Sequence, residues 1–195
     1  MLFRSTGHTL DDQAETFFIR LGRGSGLEGL TGMARQSAFP LPGFDDLHVA
    51  RPLLGMTHQA LVATLRARGQ EWIEDPSNAN EKFKRARLRT LKPALDELGL
   101  TAARVADTMD HLRRANDIIR ESAQALAAKA VRYETWGYAL LSREAFSAAP
   151  AEVALRVLSR VLQDVGGAAY PPEFAQTGSV LDWILSGAEP RGRTR

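Results

Sequence analysis

The feature that most restricts the fold is a run of apolar residues at alternating four- and three-residue steps: Val105, Met109, Leu112, Ile119, Ala123, Leu126, Ala130 and Tyr133, broken only by Asn116. That spacing lays every member on one stripe of a single helix, and such a stripe packs against other helices in a bundle. Thr101, just past Gly99, is placed to cap its start. Two further helices are expected at about Ala151–Val165 and Glu173–Leu185, on either side of GGAAYPP. Residues 100–195 are therefore expected to form an all-helical domain that folds on its own.

The first 99 residues read differently. Thr9 and Asp12 have the spacing of a capping box, and Ala14, Phe17, Phe18 and Leu21 follow at helical intervals, so a short amphipathic helix should run from about Leu10 to Leu21. Gly22 stops it, and GRGSG follows as a loop whose backbone N–H groups can approach an anion beside Arg23. Residues 37–46 are punctuated by Pro and Gly and are expected to be irregular. VARPLL reads as an extended piece, and Thr57 caps a helix carrying Leu61, Val62 and Leu65 that Gly69 ends. Asp75-Pro76 marks a turn. The segment EKFKRARLRTLK, residues 81–92, has a helical pattern with Phe83 and Leu88 as its apolar contacts.

Totals exclude several function classes. The chain has 195 residues and no cysteine, which rules out thiolate zinc sites, iron–sulfur clusters, disulfides and cysteine nucleophiles. No apolar run reaches about 18 residues and no signal-peptide order opens the chain, so a cytoplasmic protein without a membrane partner is expected. The net charge is only +2, but residues 81–92 hold six basic side chains against one acid, a local positive field of the kind that meets phosphate.

The opening stretch TGHTLDDQAETFFIRLGRGSG places His8, Asp11, Asp12 and Glu15 just ahead of the glycine loop. Asp11 and Glu15 share a helix face by their four-residue spacing, and Asp12 points beside them. Capping and the helix dipole account for Asp12 and for Asp11. They do not account for a histidine and a third carboxylate beside an anion-ready loop, which suits a magnesium nucleotide or a cationic amine.

GHTLDDQAETFFIRLGRGSGLEGLTGM, then RPLLGMT, WIEDPSN, the arginines Arg85, Arg87 and Arg89, and Pro93 resemble the tRNA(Ile)-lysidine synthases in order, spacing and residue type over nearly the whole chain. The resemblance implies a mainly α chain: the C-terminal remnant of an α/β PP-loop domain of the adenine nucleotide alpha hydrolase kind over 1–99, then a helical tRNA-binding domain over 100–195. It implies a ligase that uses ATP and Mg²⁺ to join L-lysine to C2 of cytidine 34 in a tRNA(Ile) with a CAU anticodon, through an adenylated base. It assigns Asp11, Asp12 and Glu15 to catalysis, with Asp12 and Glu15 toward lysine. His8, Asp11, Arg23, Gly24 and Gly26 go toward ATP and metal, with Asp11 the candidate Mg²⁺ ligand. Asp75, Ser77, Asn78, Arg85, Arg87 and Arg89 go toward tRNA. A homodimer is compatible with the sequence.

Four departures qualify these expectations. The family's phosphate loop, SGG-x-D-S, is absent from these 195 residues, so the chain alone is expected not to catalyse adenylation. MLFRS does not match the strand expected before TGHT, which suggests an artificial or truncated start, and the family commonly continues past VLDWIL. Ala86 stands where the family often has asparagine. The competing reading is a helical tRNA-binding module without catalysis. A sulfur-transferring PP-loop enzyme is disfavoured by the lack of cysteine.

Overall fold

A computed structural model describes residues 2–41, 43–73, 84–168 and 170–187. The chain divides into two compact units, Met1–Asn116 and Asp117–Arg195. The division falls inside a long helix and not at Gly99, because the first turns of that helix carry Val105 and Met109 into the core of the first unit.

The first unit contains a three-stranded sheet in the order β1-β3-β2. β1 (Leu2–Ser5) runs parallel to β3 (Leu47–Ala50), with Phe3 opposite His48 and Arg4 opposite Val49. β2 (Gln36–Ala38) runs antiparallel to β3, with Ser37 opposite Val49. Two expectations are corrected here. Leu2–Ser5 form a strand, and the segment beginning at Ser37 is not wholly irregular, because in both places β3 supplies the hydrogen-bonding edge that no local pattern advertises.

Helix α1 (Leu10–Leu21) has the bounds expected from its pattern, with the capping box closed at both ends by Thr9 and Asp12. Its inner face buries Ala14 against Val105 and Met109, with Phe17, Phe18 and Ala102 packed around them. A four-residue helix α2 (Leu27–Leu30) follows the glycine loop. Helix α3 (His58–Ala67) is capped by Thr57 as expected, the Oγ1 accepting from Ala60 N at 3.1 Å. Helix α4 (Lys84–Glu97) carries the basic segment and includes Pro93. Phe83, the other apolar contact expected there, lies outside the described residues.

Helix α5 (Ala102–Ala130) realises the long stripe: Val105, Met109, Asn116, Ala123, Leu126 and Ala130 are all buried. Its last expected member is not on it. Tyr133 lies in β4 (Val131–Glu134), which pairs antiparallel with β5 (Tyr138–Leu141), so the second unit is not all-helical. The cause is local: Val131 and Tyr133 favour extended backbone, and Gly137 at φ +81° turns the chain back.

The rest of the second unit is α6 (Arg143–Ser147), α7 (Ala151–Gly166) and α8 (Phe174–Ser186). Its core joins Ala123, Leu126 and Ala130 to Phe146, Val153, Val157, Leu158, Val161 and Leu181. Phe146 and Leu158 are each 1% exposed, which marks the centre of this core. Among the described residues no helix is long and apolar enough to cross a membrane.

Candidate functional site

The site begins with the cap of α1. Thr9 N and Thr9 Oγ1 both donate to Asp12 Oδ2 at 2.8 Å, and Asp12 N donates back to Thr9 Oγ1 at 3.4 Å. This fixes the first turn, and with it the directions of Asp11, Asp12 and Glu15. Only one oxygen of Asp12 is used as a cap. The other, Oδ1, faces Arg85 Nη1 at 3.6 Å and Arg89 Nη2 at 3.9 Å.

Asp11 is divided in the same way. Its Oδ2 accepts from the backbone N–H of His58 at 2.7 Å, supporting the start of α3, while Oδ1 lies 3.9 Å from Lys92 Nζ. Glu15 is the most enclosed of the three acids, only 7% exposed. A carboxylate so far from water needs a charged partner, and Arg89 supplies it as a fork: Nε donates to Oε1 at 2.7 Å and Nη2 to Oε2 at 3.4 Å. The bond to Glu15 raises the Arg89 pKa above its ordinary value, against the opposing effect of burial and with help from Asp12 and Asp11.

Helical phase on α4 sorts the basic residues. Arg85, Arg89 and Lys92 are four and three residues apart and meet α1, whereas Lys84 and Arg87 lie outside that phase and are exposed. The three arginines expected to act alike are thus two that hold carboxylates and one that faces solvent. Between α1 and α4 lies a cleft walled by Ala14, Phe18, Leu88 and Leu95, with Asp11, Glu15, Arg89, Lys92 and Asp96 at its polar edge. Lys92 Nζ also lies 2.9 Å from Asp96 Oδ2.

The remaining sequence-predicted residues sit apart from this lattice. His8 is half-buried with Nδ1 2.8 Å from Thr6 Oγ1, and among the described residues neither it nor the exposed Arg23 bonds to the three acids. Gly24 adopts φ +72°, and its N–H donates to the carbonyl of Leu21 at 3.0 Å. Gly26 is the N-cap of α2. Asp75, Ser77 and Asn78 lie outside the described residues.

Several contributors were missed in the sequence. Lys92 and Asp96 were legible only as part of a charged helix; their signal was the match between steps of four and three on α4 and the acids of α1. Gln13 was read as part of a motif, yet its side chain does structural work: Nε2 donates to Met33 O and Oε1 accepts from Met33 N, both at 2.8 Å. Gly32 makes this approach feasible. It adopts φ +76°, and a Cβ there would run into Met109 Cε and come within 2.8 Å of Gln13 Oε1.

Comparison with known proteins shows what this chain is similar to. Residues 3–95 match the PP-loop domain. The tRNA(Ile)-lysidine synthase of Ruegeria pomeroyi is 38% identical over 174 residues, covering 89% of this chain and 40% of that protein. The enzyme of the same name from Methylobacterium nodulans is 40% identical over 178 residues, covering 90% and 51%. This chain is a relative of the tRNA(Ile)-lysidine synthases. A more distant counterpart from Anaplasma marginale, 31% identical over 192 residues, covers 98% of the chain and 40% of its own length. The chain thus spans about half the length of the curated relatives it matches, and both α1 and most of α4 fall within the matched domain.

Proposed function

We propose that this chain contributes the acidic and basic helices of a tRNA(Ile)-lysidine synthase, acting together with a segment that carries the SGG-x-D-S loop. In the reaction, ATP adenylates the C2 carbonyl oxygen of cytidine 34 with release of pyrophosphate; the lysine ε-amine then attacks C2, forms the C–N bond and expels AMP. The observation that supports the reading is the pair of carboxylates Asp11 and Glu15 along an apolar cleft, with Asp12 beside them in the same ionic lattice. The cleft, about 40 Å³ in volume, would have to open before it took the methylenes of a lysine side chain against Ala14, Phe18, Leu88 and Leu95; the acids suit its amino groups. Asp12 and Glu15 would face lysine. His8, Arg23, Gly24 and Gly26 would serve the nucleotide, and Asp75, Ser77, Asn78, Arg85, Arg87 and Arg89 the tRNA.

The described residues do not form a metal cage. Among the described residues no three His, Asp or Glu side chains converge on one point, and Asp11 already engages His58 N–H with one oxygen and faces Lys92 with the other. Mg²⁺ would neutralise ATP phosphate charge as a companion of the nucleotide, with at most Asp11 from this chain, and no step here is routed through it. What the chain itself does is orient the amine and hold the anticodon near it.

The test is reconstitution. The chain is combined with an SGG-x-D-S segment from a relative, and transfer of labelled lysine to tRNA(Ile) is followed with and without ATP. Transfer that needs both ATP and lysine, with Glu15→Gln raising the KM for lysine at least tenfold more than that for ATP, is the expected result. A folded assembly that binds tRNA but transfers no lysine overturns the reading in favour of a tRNA-binding module.

A further inference from the structure

The hairpin of β4 and β5 lies outside every assignment above. One of its faces is anchored: Tyr133 donates its hydroxyl to Asp164 Oδ2 on α7 at 3.0 Å, and Val131, Ala139 and Leu141 pack on the core of the second unit. The other face carries Arg132 opposite Leu140 and Glu134 opposite Tyr138. Tyr138 and Leu140 are each nearly half exposed, and Trp136 at the turn is 87% exposed. A two-stranded ribbon with apolar side chains in water is marginal by itself, and an uncovered strand edge is a template for another strand.

Two bonds fix which groups the open edge presents. Ser142 N donates to Ala130 O at 2.9 Å, and Gly137 N to Glu134 O at 3.1 Å. Bonded residues alternate along an antiparallel pair, so Ala130, Arg132 and Glu134 direct their backbone groups to β5, while those of Val131 and Tyr133 point away from it. Among the described residues no strand takes up that edge. A second β4 laid antiparallel along it, with Tyr133 facing Tyr133 of the second copy, forms two N–H···O bonds about a two-fold axis. That register sets Arg132 of each copy opposite Glu134 of the other. These are the unbonded positions of the ladder, where facing side chains come closest.

The side chains suit that register. Within one chain Arg132 Nε lies 2.7 Å from Glu134 Oε1, so the two already share a face, and across the axis each carboxylate gains a second guanidinium. Tyr138 and Leu140 flank the charge pairs on either side of the new sheet. There is also room. The strand nearest α7 is β5, which keeps the two copies of α7 about three strand spacings apart, about 14 Å, more than the helix diameter of about 10 Å. RNA fits the surface less well: Arg120, Arg132, Arg156 and Arg160 are each paired with an acid within four residues, which leaves little field for phosphate.

We propose that β4 is a self-association edge, onto which a second copy of this chain adds its own β4 through the Tyr133 backbone and the reciprocal Arg132–Glu134 pairs. The edge is short, so the association belongs to the weak, transient class. The inference stands apart from the proposed function, since it needs neither ATP nor lysine nor tRNA.

The test is sedimentation equilibrium of the full chain up to about 1 millimolar, the scale of a weak contact. A monomer–dimer equilibrium is expected. Arg132→Glu and Glu134→Arg, each alone, set like charges opposite each other at both symmetric positions and should weaken association by about tenfold or more. An equimolar mixture of the two variants puts an acid opposite a base at each of these positions and should restore it; recovery also shows that both variants are folded. Tyr133→Pro removes an outward N–H without touching the hairpin's own bonds and should abolish association, whereas Tyr133→Phe should keep it. A chain that stays monomeric throughout, single variants that associate like the wild type, or a mixture that fails to recover overturns the proposal. So does an Arg132→Glu variant that keeps self-association but loses affinity for a short single-stranded RNA, which would assign the surface to RNA.

Discussion

Removing Arg89 tests whether the α1–α4 lattice is a true electrostatic clamp. The Glu15 side chain is 9% exposed and the Arg89 side chain 42%, so the two halves of this pair stand in different media. Arg89→Ala leaves a carboxylate that water barely reaches, without its two closest donors. A fully buried pair broken this way costs about 3–5 kcal/mol, and an exposed one about 0–1 kcal/mol. With one partner enclosed and the other half in water, about 1.5–3 kcal/mol is expected, the range for a lost hydrogen bond to a charged group. Glu15→Gln should cost about 1 kcal/mol or less, because the guanidinium left behind can turn to solvent and to Asp12 at 3.9 Å. Amide hydrogen exchange along α1 reads this unit without interference from the other. Equal costs for the two substitutions would refute the clamp.

Two other expectations are quickly checked. Gly32→Ala forces a side chain into left-handed backbone and against Met109, which is 1% exposed, so a loss of about 2–4 kcal/mol in urea unfolding is expected. A loss below about 1 kcal/mol would show that the loop has another conformation at little cost. In the second unit, Tyr133 donates to Asp164 Oδ2 at 3.0 Å, and burial first, then this bond, raise its pKa above the ordinary tyrosine value. The folded pKa lies above the unfolded one, so the contribution to stability is complete below about pH 10 and is lost as pH rises through the folded value. Tyrosinate absorbance should show one late-titrating group that vanishes in Tyr133→Phe; a wild-type curve identical to the variant's, apart from amplitude, would contradict the contact.

The parts of the fold that could be read in the sequence are those where neighbours in the chain are neighbours in space. The cap at Thr9, the bounds of α1, the Thr57 cap and the stripe from Val105 to Ala130 all follow from spacing within one helix. What could not be read depends on a partner far along the chain. β1 and β2 are strands only because β3 lies between them. Tyr133 fits the seven-residue rhythm of α5 as well as any residue before it, yet the rhythm cannot tell a last helical turn from the first strand of a hairpin. Val131 and Gly137 carried that information, and a pattern that scores only apolarity does not hear them.

The site shows the same division in its charges. Read one segment at a time, Asp11, Asp12 and Glu15 look like groups awaiting a cation, and Arg85, Arg87 and Arg89 look like groups awaiting phosphate. Read together, the steps of four and three on α4 are the complement of the acids on α1, and Arg87 is out of step. Any amine that enters among these acids must therefore meet carboxylates already neutralised by Arg85, Arg89 and Lys92, and any phosphate drawn to α4 finds Arg87 and Lys84 outside that lattice. A phosphate that did reach Arg89 would loosen its hold on Glu15, so the two charges recruited by the proposed reaction are linked through one guanidinium. Linkage of that kind is reciprocal in free energy: RNA that takes Arg89 must tighten amine binding at Glu15 by the same factor by which the amine tightens RNA.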